Sequence, residues 1–297
     1  MTPTPAPMGA LNIHKPAGWT SHDVVARVRR ITGERQVGHT GTLDPMATGV
    51  LVVCIGRATR LVEYLSDLPK TYRATVAFGT ETDTWDAEGQ VIARRDAAYL
   101  TLEALLPLLD AMRGEIQQVP PMYSALKRDG QPLYRLARAG QTVEREPRTV
   151  RIERLDVLGW EPPLLSLEIA CSKGTYIRSL AHDLGQAAGV GAHLAALART
   201  AIGHLYLEEA VTLEALAEGD WQHWLIEPRR ALRHLPAVAI SEGEAQALGH
   251  GQAIELPEEP GGDTCCAYDA QGALAAVLER DERPGWWRPR KVFAAAS

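Results

Sequence analysis

Gly38-His39-Thr40-Gly41-Thr42-Leu43-Asp44-Pro45-Met46-Ala47-Thr48-Gly49, followed at once by Val50-Leu51-Val52-Val53-Cys54-Ile55, is the stretch from which the rest of the chain is read. Three glycines, a proline and three threonines predict a loop over 38–49, and the apolar run after it predicts a buried strand. A Gly-rich loop lets the backbone approach a ligand closely. One carboxylate, Asp44, stands mid-loop between Leu43 and Pro45. An Asp in a loop ordinarily bonds its own turn, so this pattern alone leaves a turn-forming role and a functional role both open.

Upstream, Leu11–Lys15 predicts a short strand stopped by Pro16, and Ser21 is the expected N-cap of a helix to about Ile31. Downstream, Arg60–Asp67 predicts one short helix. Lys70–Gly79 predicts a strand whose period of two puts Tyr72, Ala74, Val76 and Phe78 on one face. A turn at Thr82–Gly89 and a strand at Gln90–Ala93 follow. Thr101 caps a helix with Leu102, Leu105, Leu106 and Leu109 inward. Arg148–Trp160 and Leu164–Ser172 predict a strand pair, and Ile177, Leu180, Ala181 and Leu184 line one face of the next helix. Near Pro236 the chain becomes acidic, rich in Gly and Pro, and strand-like, with one helix at Glu242–Leu248.

At 297 residues, with 45% apolar and 23% charged residues, the chain has the composition of a globular protein with one large and one small domain. No apolar run reaches about 18 residues, so no membrane span is expected. The Pro-rich start lacks a signal-peptide pattern, and a cytoplasmic location is expected. Cys54 and Cys171 lie in apolar runs, and the adjacent Cys265 and Cys266 lack neighbouring ligands, so a zinc site is rejected. The net charge of −6 argues against a broadly basic nucleic-acid binder, but the average hides a contrast. Pro121–Leu155 carries eight basic and four acidic residues, a net of +4; Pro236–Arg283 carries ten acidic residues against two arginines, a net of −8. The first is a basic arm of the kind that tracks phosphates.

Asp44, Tyr72, Tyr176 and Arg178 are polar or aromatic where a core favours apolar groups. Arg178 in a first helical turn opposes the helix dipole and therefore implies an anionic partner. His39 reads equally as an exposed loop residue. The 38–49 loop has no Gly-Lys-Ser/Thr ending and leads into a strand, which disfavours a phosphate-binding P-loop. No Gly-x-Ser-x-Gly elbow, no Gly-x-Gly-x-x-Gly fingerprint and no second paired carboxylate is evident in the sequence. A lone Asp kept ionised by a cation, with tyrosines able to stack on an extruded nucleobase, suits chemistry on a base.

Five motifs, in order, carry a family resemblance. They are Lys15-Pro16-Ala17-Gly18-Trp19-Thr20-Ser21-His22-Asp23, the 38–49 loop, Lys70-Thr71-Tyr72 with Thr82-Asp83-Thr84-Trp85-Asp86, Gln118–Lys127, and Cys171–Arg178. From Leu11 onward the chain resembles the TruB family of tRNA pseudouridine synthases. The resemblance implies an α+β pseudouridine synthase fold: a central mixed, mostly antiparallel sheet flanked by helices and loops, plus a small C-terminal β-barrel-like PUA domain. It implies a lead at 1–10, a catalytic domain at 11–234 with an arm at about 121–151, and an RNA-binding domain at 235–297. The implied activity is isomerisation of uridine 55 in the tRNA T loop to pseudouridine, by base flipping, with Asp44 essential.

In that reading Arg178 pairs with Asp44, lowers its pKa and keeps it ionised. Tyr72 stacks on the base and takes the C5 proton. Tyr176 and Leu197 line the pocket, and His39 fills the gap left in the RNA stack. Lys15, Gly41 and Thr42 join the substrate-binding set, and Lys127, Arg128 and Arg135 of the arm contact the T arm. Neither cofactor nor metal is expected, because the isomerisation involves no net redox change, and a monomer is expected. The tail's Trp286–Lys291 edge is the part suited to RNA. Leu197-Ala198-Arg199-Thr200 stands where the family often has Leu-Arg-Arg-Thr. The rival reading is a tRNA-binding or tRNA-folding chaperone without catalysis.

Overall fold

A computed structural model describes residues 7–124, 126–128, 130–141 and 143–293, with the backbone alone at 127, 128, 132, 134 and 138. The strands in chain order begin with β1 (Gly9–Lys15), β2 (Val37–His39), β3 (Thr48–Ile55) and β4 (Lys70–Phe78). Next come β5 (Thr80–Thr82), β6 (Val91–Arg94), β7 (Gly114–Gln118), β8 (Lys127–Arg128) and β9 (Gln131–Pro132). β10 (Arg148–Glu161), β11 (Leu164–Cys171), β12 (Ala192–Ile202) and β13 (Leu205–Tyr206) complete the large sheet. Among the described residues that sheet has nine strands, in the order β1-β3-β12-β4-β11-β10-β7, with β2 and β13 pairing on β3 and β12. Its pairs are antiparallel except β12 with β3. The architecture is therefore α+β with a mixed, mostly antiparallel sheet.

The helices are α1 (Ser21–Thr32), α2 (Val62–Ser66), α3 (Leu102–Asp110), α4 (Leu133–Arg138), α5 (Ile177–Ala187), α6 (Leu213–Glu218), α7 (Pro228–Ala231) and α8 (Glu242–Gly249). None among the described residues is long and apolar enough to cross a membrane. β4 buries Tyr72, Ala74, Val76 and Phe78, as its alternation predicts, against Leu165, Leu167 and Ile169 of β11. Ile177, Leu180, Ala181 and Leu184 of α5 close the same core. On the other flank, Val24, Val25 and Val28 of α1 cover Leu11, Ile13, Leu51 and Val53.

Several local expectations are corrected. The loop is shorter than 38–49, because β2 and β3 claim its two ends. The first strand starts at Gly9, not Leu11; residues 1–6 of the Pro-rich lead lie outside the described residues. Thr20, not Ser21, caps α1: its side chain accepts from the Asp23 amide and Asp23 answers in a capping box. The expected 60–67 helix is a 3-10 segment, Gly56–Leu61, running into α2. Leu106 is 44% exposed, so α3 buries Leu105 and Leu109 without it.

The tail forms a second sheet of β14 (Ala237–Ala239), β15 (Ile254–Glu255), β16 (Thr264–Tyr268), β17 (Leu274–Arg280) and β18 (Trp286–Val292), ordered β14-β16-β17-β18-β15. It curls into a half-barrel. Cys266, Tyr268, Leu274, Val277 and Phe293 pack into one cluster with Val50, Val52, Leu61 and Leu65 of the larger part. Glu63 of α2 meets Arg290 at 3.3 Å and Lys291 at 2.8 Å. The Trp286–Lys291 edge is thus less available than the sequence suggests: Trp287 is buried, and Arg290 and Lys291 already face carboxylates.

Candidate active site

The loop between β2 and β3 is tied down from several sides. Ser21, freed from capping, has its hydroxyl fully buried against Leu43; it accepts from the Leu43 amide at 2.9 Å and donates to the Leu43 carbonyl at 3.3 Å. The Gly18 amide donates to the Pro45 carbonyl at 2.8 Å, and the Ala47 amide to the Asp44 carbonyl at 3.1 Å. Arg199, on β12, donates through Nε to the Val50 carbonyl and through Nη2 to the Gly41 carbonyl, at 2.7 and 3.1 Å. This closeness depends on Gly49, at φ +101°: a Cβ there would lie 2.2 Å from the Arg199 carbonyl oxygen.

Asp44 then projects from a fixed backbone toward α5. Arg178 donates to it in a fork, Nε to Oδ2 at 2.9 Å and Nη2 to Oδ1 at 3.0 Å. The same guanidinium reaches Asp86 Oδ2 at 3.3 Å and donates to the carbonyls of Thr84 at 3.3 Å and Tyr123 at 2.7 Å. Asp86 is set by Thr84 Oγ1 at 2.6 Å and the Glu88 amide at 3.1 Å. Its turn is held to β12 by paired bonds, Ala87 amide to Leu194 carbonyl and Leu194 amide to Trp85 carbonyl. The anionic partner expected for Arg178 is thus present twice.

Burial pushes the Asp44 carboxyl above the usual carboxylate range; Arg178 works against this, and the Asp86 carboxylate adds to it. The net direction is opposite to the expected depression, because one guanidinium serves two carboxylates in a dry setting. Burial likewise raises the Tyr72 phenol, opposed by the Arg199 guanidinium beside it. Tyr72 and Arg199 are register partners across β4 and β12.

A cavity of about 680 Å³ opens over these groups. Asp44, Tyr72, Tyr176, Arg178, Leu197, Gly41 and Thr42 line it, so the fold brings together seven of the anticipated residues. Tyr176 is fixed by Gln118, whose side-chain amide accepts from its N–H at 2.8 Å and donates to its carbonyl at 3.0 Å. Lys15 and His39 do not line the cavity. The fully buried Lys15 ammonium donates to the carbonyls of Pro16, Trp19 and Pro45, behind the loop. Burial lowers its pKa to about 8. His39 is half-buried, accepts from the Gly41 amide at 3.3 Å, and meets His22 edge-to-face at 5.5 Å. Arg135 is exposed on α4; the side chains of Lys127 and Arg128 lie outside the described residues.

Residues 29–177 match the model of the TruB family pseudouridylate synthase N-terminal domain, and 178–235 that of the tRNA pseudouridylate synthase B C-terminal domain. The chain is 48% identical to tRNA pseudouridine synthase B of Pseudomonas aeruginosa (strain UCBPP-PA14) over 292 residues, 96% of this chain and 95% of that protein. It is 44% identical to the protein of that name from Dehalococcoides mccartyi (strain CBDB1) over 293 residues, 97% of each. This chain belongs to the TruB family of pseudouridylate synthases. As a TruB-family member it is an isomerase. Among solved structures, a chain of an H/ACA RNP bound to a substrate RNA containing 2′-deoxyuridine superposes with a TM-score of 0.74 at 26% identity, over 97% of this chain and 86% of that one. The archaeal box H/ACA sRNP Nop10–Cbf5 complex gives 0.73 at 26% identity, over 97% and 87%.

Sequence reasoning did not name Asp86, Arg199 and Ser21 as lining this TruB-family pocket, nor Gln118 as bracing its Tyr176. Asp86 ends a motif that carries the family resemblance, but by local pattern its stretch reads only as a turn. Arg199 had two signals: a cation in a mostly apolar strand, and its place in the Leu197-Ala198-Arg199-Thr200 match.

Proposed function

We propose that this enzyme converts uridine 55 in the T loop of tRNA to pseudouridine, with Asp44 as the essential group. The supporting observation is the Asp44 carboxylate, held by the Arg178 fork at 2.9 and 3.0 Å on the wall of a cavity large enough for a flipped nucleotide. The family and the names of its relatives support the reaction and the tRNA.

The isomerisation breaks the bond from N1 of the base to C1′ of the ribose, turns the base, and forms a bond from C5 to C1′. C5 loses a proton and N1 gains one, so no electrons enter or leave. Asp44 serves as nucleophile or at the ribose; both routes need its carboxylate unprotonated at the moment of reaction. Arg178 favours that form, and burial makes the acid more reactive once ionised. Tyr72 stacks on the base. As acceptor of the C5 proton it must first give up its own, which burial opposes and Arg199 favours. The basic arm contacts phosphates of the T arm, mostly without reading sequence. A monomer is proposed as the active unit.

The test is an assay on unmodified tRNA transcript. Asp44→Asn is expected to abolish pseudouridine formation and to leave tRNA binding within about tenfold, roughly 1.4 kcal/mol. Undiminished turnover in this variant would sink the mechanism. Binding without conversion by the wild-type protein would favour the chaperone reading.

A further inference from the structure

Four cationic side chains at or behind the cavity are buried: Lys15, Lys70, Arg178 and Arg199, at 0, 7, 4 and 1% exposure. Among the described residues, only Arg178 has carboxylates within ion-pair distance. Asp44 and Asp86 both face Arg178, and the third carboxylate of the lining, Glu88, is exposed at its rim, so among the described residues the buried part of the site carries an excess of positive charge. Burying a charge without a counterion is costly, so such an excess marks a place where an anion arrives from outside. Lys15 and Arg199 are turned onto loop carbonyls, and Lys15 is walled off from the cavity.

Lys70 differs. It lies two residues before Tyr72 on the same face of β4, and it lines the cavity. Its ammonium donates to the carbonyls of Ser66 and Leu68 at the end of α2. Two acceptors leave one of its three N–H donors, and both acceptors are neutral. A glutamine-length amide would satisfy two carbonyls without burying a charge, so the hydrogen bonds alone do not account for a lysine. Ser172, Lys173, Gly174 and Thr175 form the neighbouring polar wall, and Asp67, between Ser66 and Leu68, turns its exposed carboxylate to Lys173 at 2.7 Å.

We propose that Lys70 forms a phosphate subsite, holding the backbone phosphate adjacent to the nucleotide whose base enters the cavity. This rests on the reading that an RNA nucleotide occupies the pocket. The base goes to Tyr72 and the ribose to Asp44. Lys70, next along β4 from Tyr72, takes the phosphate, and the burial of its charge is offset only when RNA is bound. Burial lowers the Lys70 pKa to about 8, in keeping with a cation that lacks its partner.

The test pairs a protein change with an RNA change. Lys70→Gln retains two donors for the carbonyls and removes the charge; Lys70→Arg retains the charge. The RNA is a T-arm hairpin carrying a single uncharged methylphosphonate on the 5′ or the 3′ side of the target uridine. Lys70→Gln is expected to weaken binding of the unmodified hairpin about tenfold and to lower the salt slope by about one, with Lys70→Arg retaining most of the affinity. In the wild-type protein one of the two methylphosphonates reproduces that loss, and it does no further harm in Lys70→Gln. Full-strength binding by Lys70→Gln, or equal methylphosphonate losses in both proteins, would overturn the subsite. The methylphosphonate series on the wild-type protein keeps the test decisive if a variant fails to fold: no loss at either position also overturns it. Absence of pseudouridine formation by the wild type, with the Lys70-dependent binding intact, would overturn the proposed activity and leave the subsite standing.

Discussion

The Arg178 guanidinium has five N–H donors, and its partners are Asp44, Asp86 and the carbonyls of Thr84 and Tyr123. Sharing has a consequence for pH. The Asp86 carboxylate adds to the upward push on Asp44, so Asp44 protonates at a higher pH than an ordinary Asp. Turnover should therefore fall as the pH drops through that raised value. Asp86→Asn removes the repulsion and should move this acid limb to lower pH, while a less firmly held Arg178 lowers turnover about fivefold, roughly 1 kcal/mol. Single-turnover rates across pH check both; an unmoved limb would refute the coupling. Lys15 acts differently. Lys15→Met takes the donor from the Pro16 and Trp19 carbonyls and leaves Pro45 with the Gly18 amide alone, and should cost about 2 kcal/mol in thermal unfolding. Arg178's need for an anionic partner was legible from its place in a first helical turn, whereas local pattern left Asp44 open and only the family resemblance singled it out. Asp86, Ser21 and Lys15 were not legible, because their roles follow from which carbonyl, amide or guanidinium the fold brings to them.

At the scale of elements, β4 was the most legible, since strict alternation leaves one face for the core. The one parallel pairing of the large sheet among the described residues, β12 on β3, left no mark in the sequence beyond Gly49. Gly49→Ala at φ +101° presses a Cβ onto the Arg199 backbone and should cost more than about 3 kcal/mol in chemical denaturation, disrupting the register that holds Arg199 over the loop. The arm's basic composition was legible; its root was not. Arg145 stacks over the Trp85 ring at 5.7 Å and donates to the Pro120 carbonyl, and Trp85 lies flat on His182 at 4.2 Å. Neutralising Lys127, Arg128 and Arg135 together to Gln should weaken tRNA binding and flatten its salt dependence. An unchanged salt slope would show that the arm does not touch phosphate.

For the molecule as a whole, the change in composition near Pro236 was readable, and it does mark a second sheet. The joint was not readable, because it is made of apolar residues scattered over both parts. Arg60 donates to the Val292 carbonyl and lies over the Phe293 ring, beside the Glu63 ion pairs and the shared cluster around Val50 and Cys266. Unfolding should accordingly appear as one calorimetric transition; two resolved transitions would show independent units. The clasp on Glu63 has a reach of its own. Glu63 sits on α2, and the end of α2 supplies the carbonyls that hold Lys70 against the cavity. The half-barrel, none of whose described residues lines the cavity, thus acts as a buttress one helix removed from it. Loosening that buttress would slacken the grip on RNA backbone before it touched the bond-making chemistry, a loss felt in substrate capture and not in the speed of the committed complex.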